Sequence, residues 1–329
     1  MNQINVGIIG CGSITKNRHA PEYQENPNVK EIVFYDRNPE RAQALAETFN
    51  GRVAETIEDL LDDPSISAIS DCSSNENHPI NTTKALRKGK HVLCEKPLAT
   101  SLEEAEKMVE IQHNSGKKLM VAHNQRFDAP HQKAKEIIHN EELGKVLTFK
   151  TSFGHKGPEH WGYNKTNSTW FFKKDRSVSG VVGDLGIHKI DLIHYLLDDE
   201  ITDGHSFKGA LDKVDENGEP IEVCDNLVCA LKTKKGRIGT ASFSWTYYGK
   251  QDNSTTIYCE KGIIKIYPEK DVPLAIETPD GEVQKPELPH HPNSGVIDSF
   301  VDSVIQDTEP FITGEDALAS LKVVDMLLE

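Results

Sequence analysis

The alternation of apolar and polar positions changes rhythm near residue 128. Before that point, short apolar runs alternate with stretches whose apolar positions recur at helical spacing. Residues 4–10 (INVGIIG) form one such run and end in glycine; 31–36 (EIVFYD) form a second, and 66–73, 91–95 and 119–123 are further strand candidates. A helix is expected from about Ser13. Residues 39–50 (PERAQALAETFN) open on proline and place Ala42, Leu45, Ala46 and Phe49 on one face, the pattern of an amphipathic helix. Another helix opens at Ser101 with Glu104 three residues on, the signature of a capping box. Strands that alternate with helices predict a parallel sheet covered on both faces.

Beyond residue 128 one helix (130–140) leads into a strand (146–155) and then a polar stretch carrying Trp161 and Trp170. Residues 183–197 are apolar at helical spacing, and 206–277 run strand after strand with glycine turns. The segment LVCALKTKKGRIGTASFSWTYY (227–248) reads as a hairpin. Residues 298–306 and 316–328 are expected as closing helices. The expectation is an α/β chain: a doubly wound parallel sheet over residues 1–127, then an α+β domain over 128–329 with a largely antiparallel, open-faced sheet. The last helix is a candidate to pack back on the first domain.

Composition narrows the function classes. Hydrophobic residues at 36% and charged residues at 27% suit a globular chain rather than a disordered one. A net charge of -15 has the wrong sign for a phosphate-backbone binder, so nucleic acid is not an expected partner. No apolar run approaches the roughly 20 residues of a membrane span. The opening Met-Asn-Gln-Ile-Asn lacks the basic and apolar regions of an export signal, so a cytoplasmic location is expected. The six cysteines, at 11, 72, 94, 224, 229 and 259, form no C-x-x-C pair and are expected as free thiols.

Three motifs carry candidate chemistry. Gly10-Cys11-Gly12-Ser13-Ile14-Thr15 lies after a strand and before a helix. There, glycines let a diphosphate reach backbone N–H groups at the helix start. Thr15 replaces the third glycine of the usual fingerprint, so the helix is expected to stand slightly further from the strand. Asp36, 26 positions after Gly10 and at the end of the second strand, suits the hydroxyls of an adenosine ribose. Arg37 beside it could meet a 2′-phosphate, so NAD is the expected cofactor with NADP as the alternative.

Glu95-Lys96-Pro97 follows directly on a strand, at the edge where doubly wound sheets bind ligands. Lys96 could donate to a substrate hydroxyl, and Pro97 could hold a cis peptide. The third motif is GDLGIHKID. Asp184 and His188 stand four residues apart on one helix face, with Asp191 a turn further on. A histidine among carboxylates suits a general base. Gly183 and Gly186 in the first turn suggest that something approaches closely. D-x-x-x-H could also hold a metal, but no third ligand of suitable spacing accompanies it, and none is expected.

The three motifs in this order resemble the glucose–fructose oxidoreductase / inositol dehydrogenase (Gfo/Idh/MocA) family. The likeness runs over nearly the whole chain: GIIGCGSI, YDRNPERAQALA, KALRKGKHVLCEKPLA and GDLGIHKIDLIHYLL. It implies a Rossmann domain followed by a catalytic domain, with Lys96, Asp184 and His188 as the catalytic group. It also implies a cofactor set of Gly10, Gly12, Ser13, Ile14, Asp36, Arg37, Glu95 and Lys96. The family's T-P-N-x-x-H loop on the nicotinamide side corresponds to Ser73-Ser74-Asn75-Glu76-Asn77-His78, which keeps Asn75 and His78 but lacks the proline. Ser73 is expected to donate a hydrogen bond there, with Ser74 beside it.

The implied reaction is oxidation of a secondary alcohol of a sugar or cyclitol by hydride transfer. Candidate substrate residues are Asn124 and Arg126 at the domain junction, His155 at a strand end, Trp161, and Tyr248 in the hairpin. Two other readings compete: a non-catalytic dinucleotide-binding sensor, and an NAD-dependent redox-neutral glycosidase. An open sheet face would be a natural surface for a homodimer or homotetramer.

Overall fold

The computed structural model describes residues 3–162, 165–178, 180–290 and 292–329. The chain divides into two units, Met1–Asn124 with Pro292–Leu318, and Gln125–His291 with Ala319–Glu329. The first unit therefore ends a few residues before the expected boundary and reclaims a later segment. Hydrogen bonds account for the return. Glu22 accepts from the Ser294 N–H and hydroxyl, Asn26 donates to Asp298, and Met120 bridges Thr313.

In the first unit β1 (Ile4–Ile9), β2 (Val29–Tyr35), β3 (Arg52–Val53), β4 (Ile66–Asp71), β5 (His91–Cys94) and β6 (Leu119–Val121) are all parallel. Their order is β3-β2-β1-β4-β5-β6, which reverses direction between β1 and β4. Such a reversal opens a crevice at the strands' carboxyl ends. The helices are α1 (Ala20–Glu25), α2 (Pro39–Thr48), α3 (Ile57–Asp62), α4 (His78–Arg87) and α5 (Leu102–Ser115). Their starts follow the capping chemistry of the sequence: Asn38 accepts from the Glu40 N–H, and Ser101 from the Glu104 N–H. Val6, Ile8, Ile69, Val92 and Leu93 are wholly buried, as expected of strands covered on both faces.

The second unit opens with α6 (Ala129–His139), β7 (Val146–Gly154), α7 (Pro158–Trp161) and α8 (Ile187–Leu197). There follow β8 (Ile201–Gly209), β9 (Asn226–Thr233), β10 (Ile238–Ser244), β11 (Thr255–Cys259), β12 (Gly262–Glu269), β13 (Val272–Glu277) and β14 (Val283–Gln284). The sheet order is β14-β13-β12-β11-β7-β10-β9-β8. β9 and β10 form the expected antiparallel hairpin, and β10 alone runs parallel to a neighbour, β7. Burial alternates along β9: Leu227, Cys229 and Leu231 are inside, Val228, Ala230 and Lys232 outside. On the outer face Phe207 stands opposite Val228, and Ile238 and Tyr258 are exposed on neighbouring strands.

The closing helices are α9 (Val296–Gln306) and α10 (Gly314–Leu328). The boundary between units falls inside α10, whose Leu327 carbonyl accepts from Ser206 and Lys208 of β8. All six cysteines are free. Among the described residues no helix is long and apolar enough to cross a membrane.

Candidate active site

Gly10 ends β1 with φ +93, and a Cβ there would lie 2.6 Å from the Cys72 carbonyl oxygen, so only glycine fits. Gly12 differs: a Cβ would meet nothing within 4 Å. No protein atom fills the space over Gly12, and the first-turn N–H groups of the helix that starts at Ser13 have no intrahelical partner. That opening suits a diphosphate. Thr15 is wholly buried and donates its hydroxyl to the Gly10 carbonyl at 2.5 Å. Residues Thr15–His19 form a π turn, which closes with the Ala20 N–H on the Thr15 carbonyl. Asp36 accepts from the Cys11 N–H at 2.7 Å and the Asn38 N–H at 2.8 Å, tying the glycine loop to the end of β2. Arg37 is exposed and has no protein partner.

The loop after β4 is held from below. Asp71, wholly buried, accepts from the Ser73 N–H, the Ser73 hydroxyl at 2.6 Å and the Thr82 hydroxyl. The Ser73 hydroxyl hydrogen is thus spent on Asp71 and is not the ligand donor expected from the sequence. Its oxygen accepts from Asn81, and Ser74 is likewise committed, to Glu76 and Asn77. These internal bonds do the stiffening that a proline would otherwise supply. His78 is wholly buried beneath the loop, which corrects its placement among cofactor contacts. Asn75 is the exception. Its side chain is almost fully buried, yet its amide has no protein partner. An amide without a protein partner on so enclosed a residue is a candidate to meet a ligand.

At the end of β5 Glu95 accepts from His19 Nε2 at 2.9 Å and from the Lys96 N–H at 3.2 Å. Burial opposes its ionisation, but the hydrogen bond and charge of His19 and the charge of Lys96 hold the carboxyl below its ordinary range. Behind it His19 Nδ1 pairs with Ser70, and Ser70 with Tyr23 at 2.7 Å. Lys96 is half-buried, and its bond to Pro97 is cis, as the sequence suggested.

In the second unit the segment Val182–Gly186 is also a π turn, leading into α8. The glycines there serve internal packing, a correction to the expectation of an approaching ligand. A Cβ on Gly183 would strike the Val178 carbonyl at 2.0 Å, and one on Gly186 would press the Phe243 ring. Asp184, buried, accepts from Trp245 Nε1 at 3.1 Å. His188 lies one turn on and is half-buried, with Phe153 6.0 Å from its ring. Ring contacts continue from Phe153 to His155 at 5.7 Å, to Trp161 at 6.0 Å, to Phe171 at 5.1 Å and on to Trp245 at 6.4 Å. Sequence reasoning missed Trp245 and Phe171, because no spacing rule marks an indole as the partner of a distant carboxylate.

The candidate substrate residues fare differently. His155 and Trp161 belong to this aromatic run. Tyr248 is exposed, with its hydroxyl held between Asp212 and Lys213. Asn124 is half-buried and its side-chain amide has no protein partner. Arg126 is corrected: its guanidinium is buried and bidentate on Asp191, at 2.9 and 2.7 Å. The Asp191 carboxylate is thereby committed to Arg126. No group of acidic, histidine or cysteine side chains suited to a metal occurs among the described residues.

Two family models match the chain. The model described as "Oxidoreductase family, NAD-binding Rossmann fold" takes in residues 4–123, and the GFO/IDH/MocA C-terminal domain residues 131–265. The chain is 33% identical over 196 residues to glucose-6-phosphate 3-dehydrogenase of Bacillus subtilis, which covers 59% of this chain and 54% of that protein. It is 24% identical over 328 residues to inositol 2-dehydrogenase of Rhizobium meliloti, covering 98% and 95%. A solved levoglucosan dehydrogenase, complexed with NADH and levoglucosan, shares the fold with a TM-score of 0.88 at 22% identity, covering 99% of this chain and 96% of that one.

Proposed function

The chain belongs to the GFO/IDH/MocA oxidoreductase family, with its NAD-binding Rossmann fold, and on that premise we propose that it oxidises a secondary alcohol of a sugar or cyclitol. The observation that carries this reading is the buried Asp184, held by the Trp245 indole one helical turn from His188, beside a run of aromatic rings. Carbohydrate rings offer apolar C–H faces to such rings and hydroxyls to the polar groups between them. The relatives named above carry sugar and inositol names, which agrees with that class.

NAD, when bound, supplies the hydride acceptor. Gly12, Ser13 and Ile14 would hold its diphosphate at the helix start, with Gly10 letting the chain turn there; Asp36 would accept from the adenosine ribose, and Asn75 and Glu95 would serve the nicotinamide side. Arg37 is the residue that would admit NADP. His188 takes the proton of the reacting hydroxyl, and Lys96 donates a hydrogen bond to that oxygen as negative charge grows on it. Asp184 orients a substrate hydroxyl or the imidazole. His155 and Trp161 contact the sugar ring, with Tyr248 and Asn124 as further contacts. The open face of the second sheet is where copies of the chain associate.

The test is reduction of NAD or NADP by the purified protein with a panel of inositols, aldoses, phosphorylated sugars and glucosides. Turnover with one class is expected. His188→Ala should lower kcat by about 10²–10⁴ while dinucleotide affinity stays nearly unchanged. Dinucleotide binding with no turnover on any member, or a His188→Ala enzyme of near-normal rate, would overturn the reading.

A further inference from the structure

His78 is wholly buried at the start of α4, and both of its ring nitrogens face backbone carbonyls. Nδ1 lies 2.8 Å from the Pro97 oxygen, and Nε2 lies 3.1 Å from the Ser73 oxygen. A carbonyl oxygen only accepts, so a ring nitrogen bonded to it must donate; a neutral imidazole has one N–H to give, and its other nitrogen would be left to the weak S–H of Cys94. We propose that His78 is a permanently protonated positioning residue: a buried imidazolium that binds the loop after β4 to the segment carrying Lys96. The functional half of this proposal rests on the reaction proposed above; the protonation half does not.

The surroundings are built for a cation. The Asp71 carboxylate is equally buried and, among the described residues, accepts from Ser73 and Thr82. The Cys94 thiol and Glu95 are the other titratable groups that act on His78. Burial pulls the imidazolium toward neutrality. The Asp71 charge and the Pro97 carbonyl oppose it and raise His78; Cys94, itself pushed above its ordinary value by burial, faces the ring as a thiol at neutral pH. A charge placed so deep costs stability unless paired and fully hydrogen-bonded, and here it is both.

The consequence is positional. Asp71 grips Ser73 by its N–H and hydroxyl, Asn81 donates to the same hydroxyl oxygen, and His78 holds the Ser73 carbonyl. With its other nitrogen the same imidazolium holds the residue directly after Lys96. One charged ring therefore sets the relation between Asn75, two residues past Ser73, and Lys96. A primary amide carries both of its N–H groups on one nitrogen, so in place of the ring it can reach one carbonyl or the other.

Neutron diffraction from the full-length, deuterium-exchanged protein at pH 8 tests the protonation directly. Deuterium on both Nδ1 and Nε2 of His78 is expected; density on one nitrogen only would overturn it. His78→Gln and His78→Asn then test the positioning. Each should lower kcat about tenfold or more, with KM for NAD changed less than about threefold once active sites are counted by dinucleotide titration. Wild-type kcat in both variants would overturn the positioning role. Absence of any wild-type turnover would instead count against the proposed reaction, and the neutron map would still decide the state of His78.

Discussion

The two sheets of this protein meet solvent on different terms. Strands of the first are buried on both faces: β6 wholly, and β1 and β4 at all but one position each. The second has one-sided strands, and β9 reads buried-exposed from Leu227 to Thr233. The first is therefore apolar along most of its buried positions, Ser70 and Asp71 at the end of β4 excepted, while β9 is constrained on one face only. The contrast extends to charge. In the first unit buried Asp71 and His78 sit by the candidate cofactor loop, at and just beyond the end of β4. In the second unit buried Arg126, Asp191 and Lys189 fasten helices to each other and to the sheet.

The sharpest way to break this comparison is a matched pair of lysine substitutions. Ile8→Lys in β1 should cost more than about 4 kcal/mol and abolish cooperative folding, because no partner awaits a charge there. Val228→Lys on the open face should change monomer stability by less than about 0.5 kcal/mol and weaken self-association, as read by urea melts and light scattering. Equal losses at the two sites would show that the second sheet's outer face is also packed within one chain.

Arg126→Ala comes next. It leaves Asp191 buried without its bidentate partner and should cost about 3–5 kcal/mol, lowering Tm before it touches KM. A large rise in substrate KM at unchanged Tm would restore Arg126 as a substrate contact. Smaller is Trp245→Phe, which keeps the ring but removes the donor to Asp184. A hydrogen bond to a charged group contributes about 1.5–3 kcal/mol, so kcat/KM should fall about tenfold or more with little change in NAD affinity.

The smallest effect is one of pH. Lys189 is wholly buried, donating to the Asn253 carbonyl and the Thr255 hydroxyl, and burial lowers it to about 7. The unfolded chain keeps this proton to about 10.5, its ordinary value. Between pH 7 and 9 the unfolded state therefore binds more protons than the native one, and stability from this group rises with pH, by up to about 1.4 kcal/mol per unit. Lys189→Met should flatten that rise in urea melts; an unchanged slope would place its origin elsewhere. His78 works in the opposite sense: its raised value stabilises the fold at neutral pH, and that contribution is lost toward pH 10.

Legibility in the sequence follows the range of the interactions. The parallel strands, the Ser101 helix start and the β9–β10 hairpin were readable because period and capping act over a few residues. The glycine loop and Asp36 were readable for the same reason, as local chemistry at a strand end. What escaped depends on residues far apart in the chain. Ser73 looked like a ligand donor because its acceptor, Asp71, is usually silent two residues before a loop. Arg126 looked free because Asp191 lies 65 positions away. Gly183 and Gly186 signalled close approach correctly, but the approaching groups are Val178 and Phe243, not a ligand.

The sequence by itself determined the α/β rhythm, the change of architecture near residue 128 and the positions of Lys96, Asp184 and His188, since each is written in short-range spacing. Tertiary structure alone decided which polar groups remain open to a ligand. Asn75 is left with an unsatisfied amide while Ser73, His78 and Arg126 are consumed within the protein. The reason is that a hydrogen bond needs two groups within about 3 Å. Only the folded chain settles which distant residues come that close.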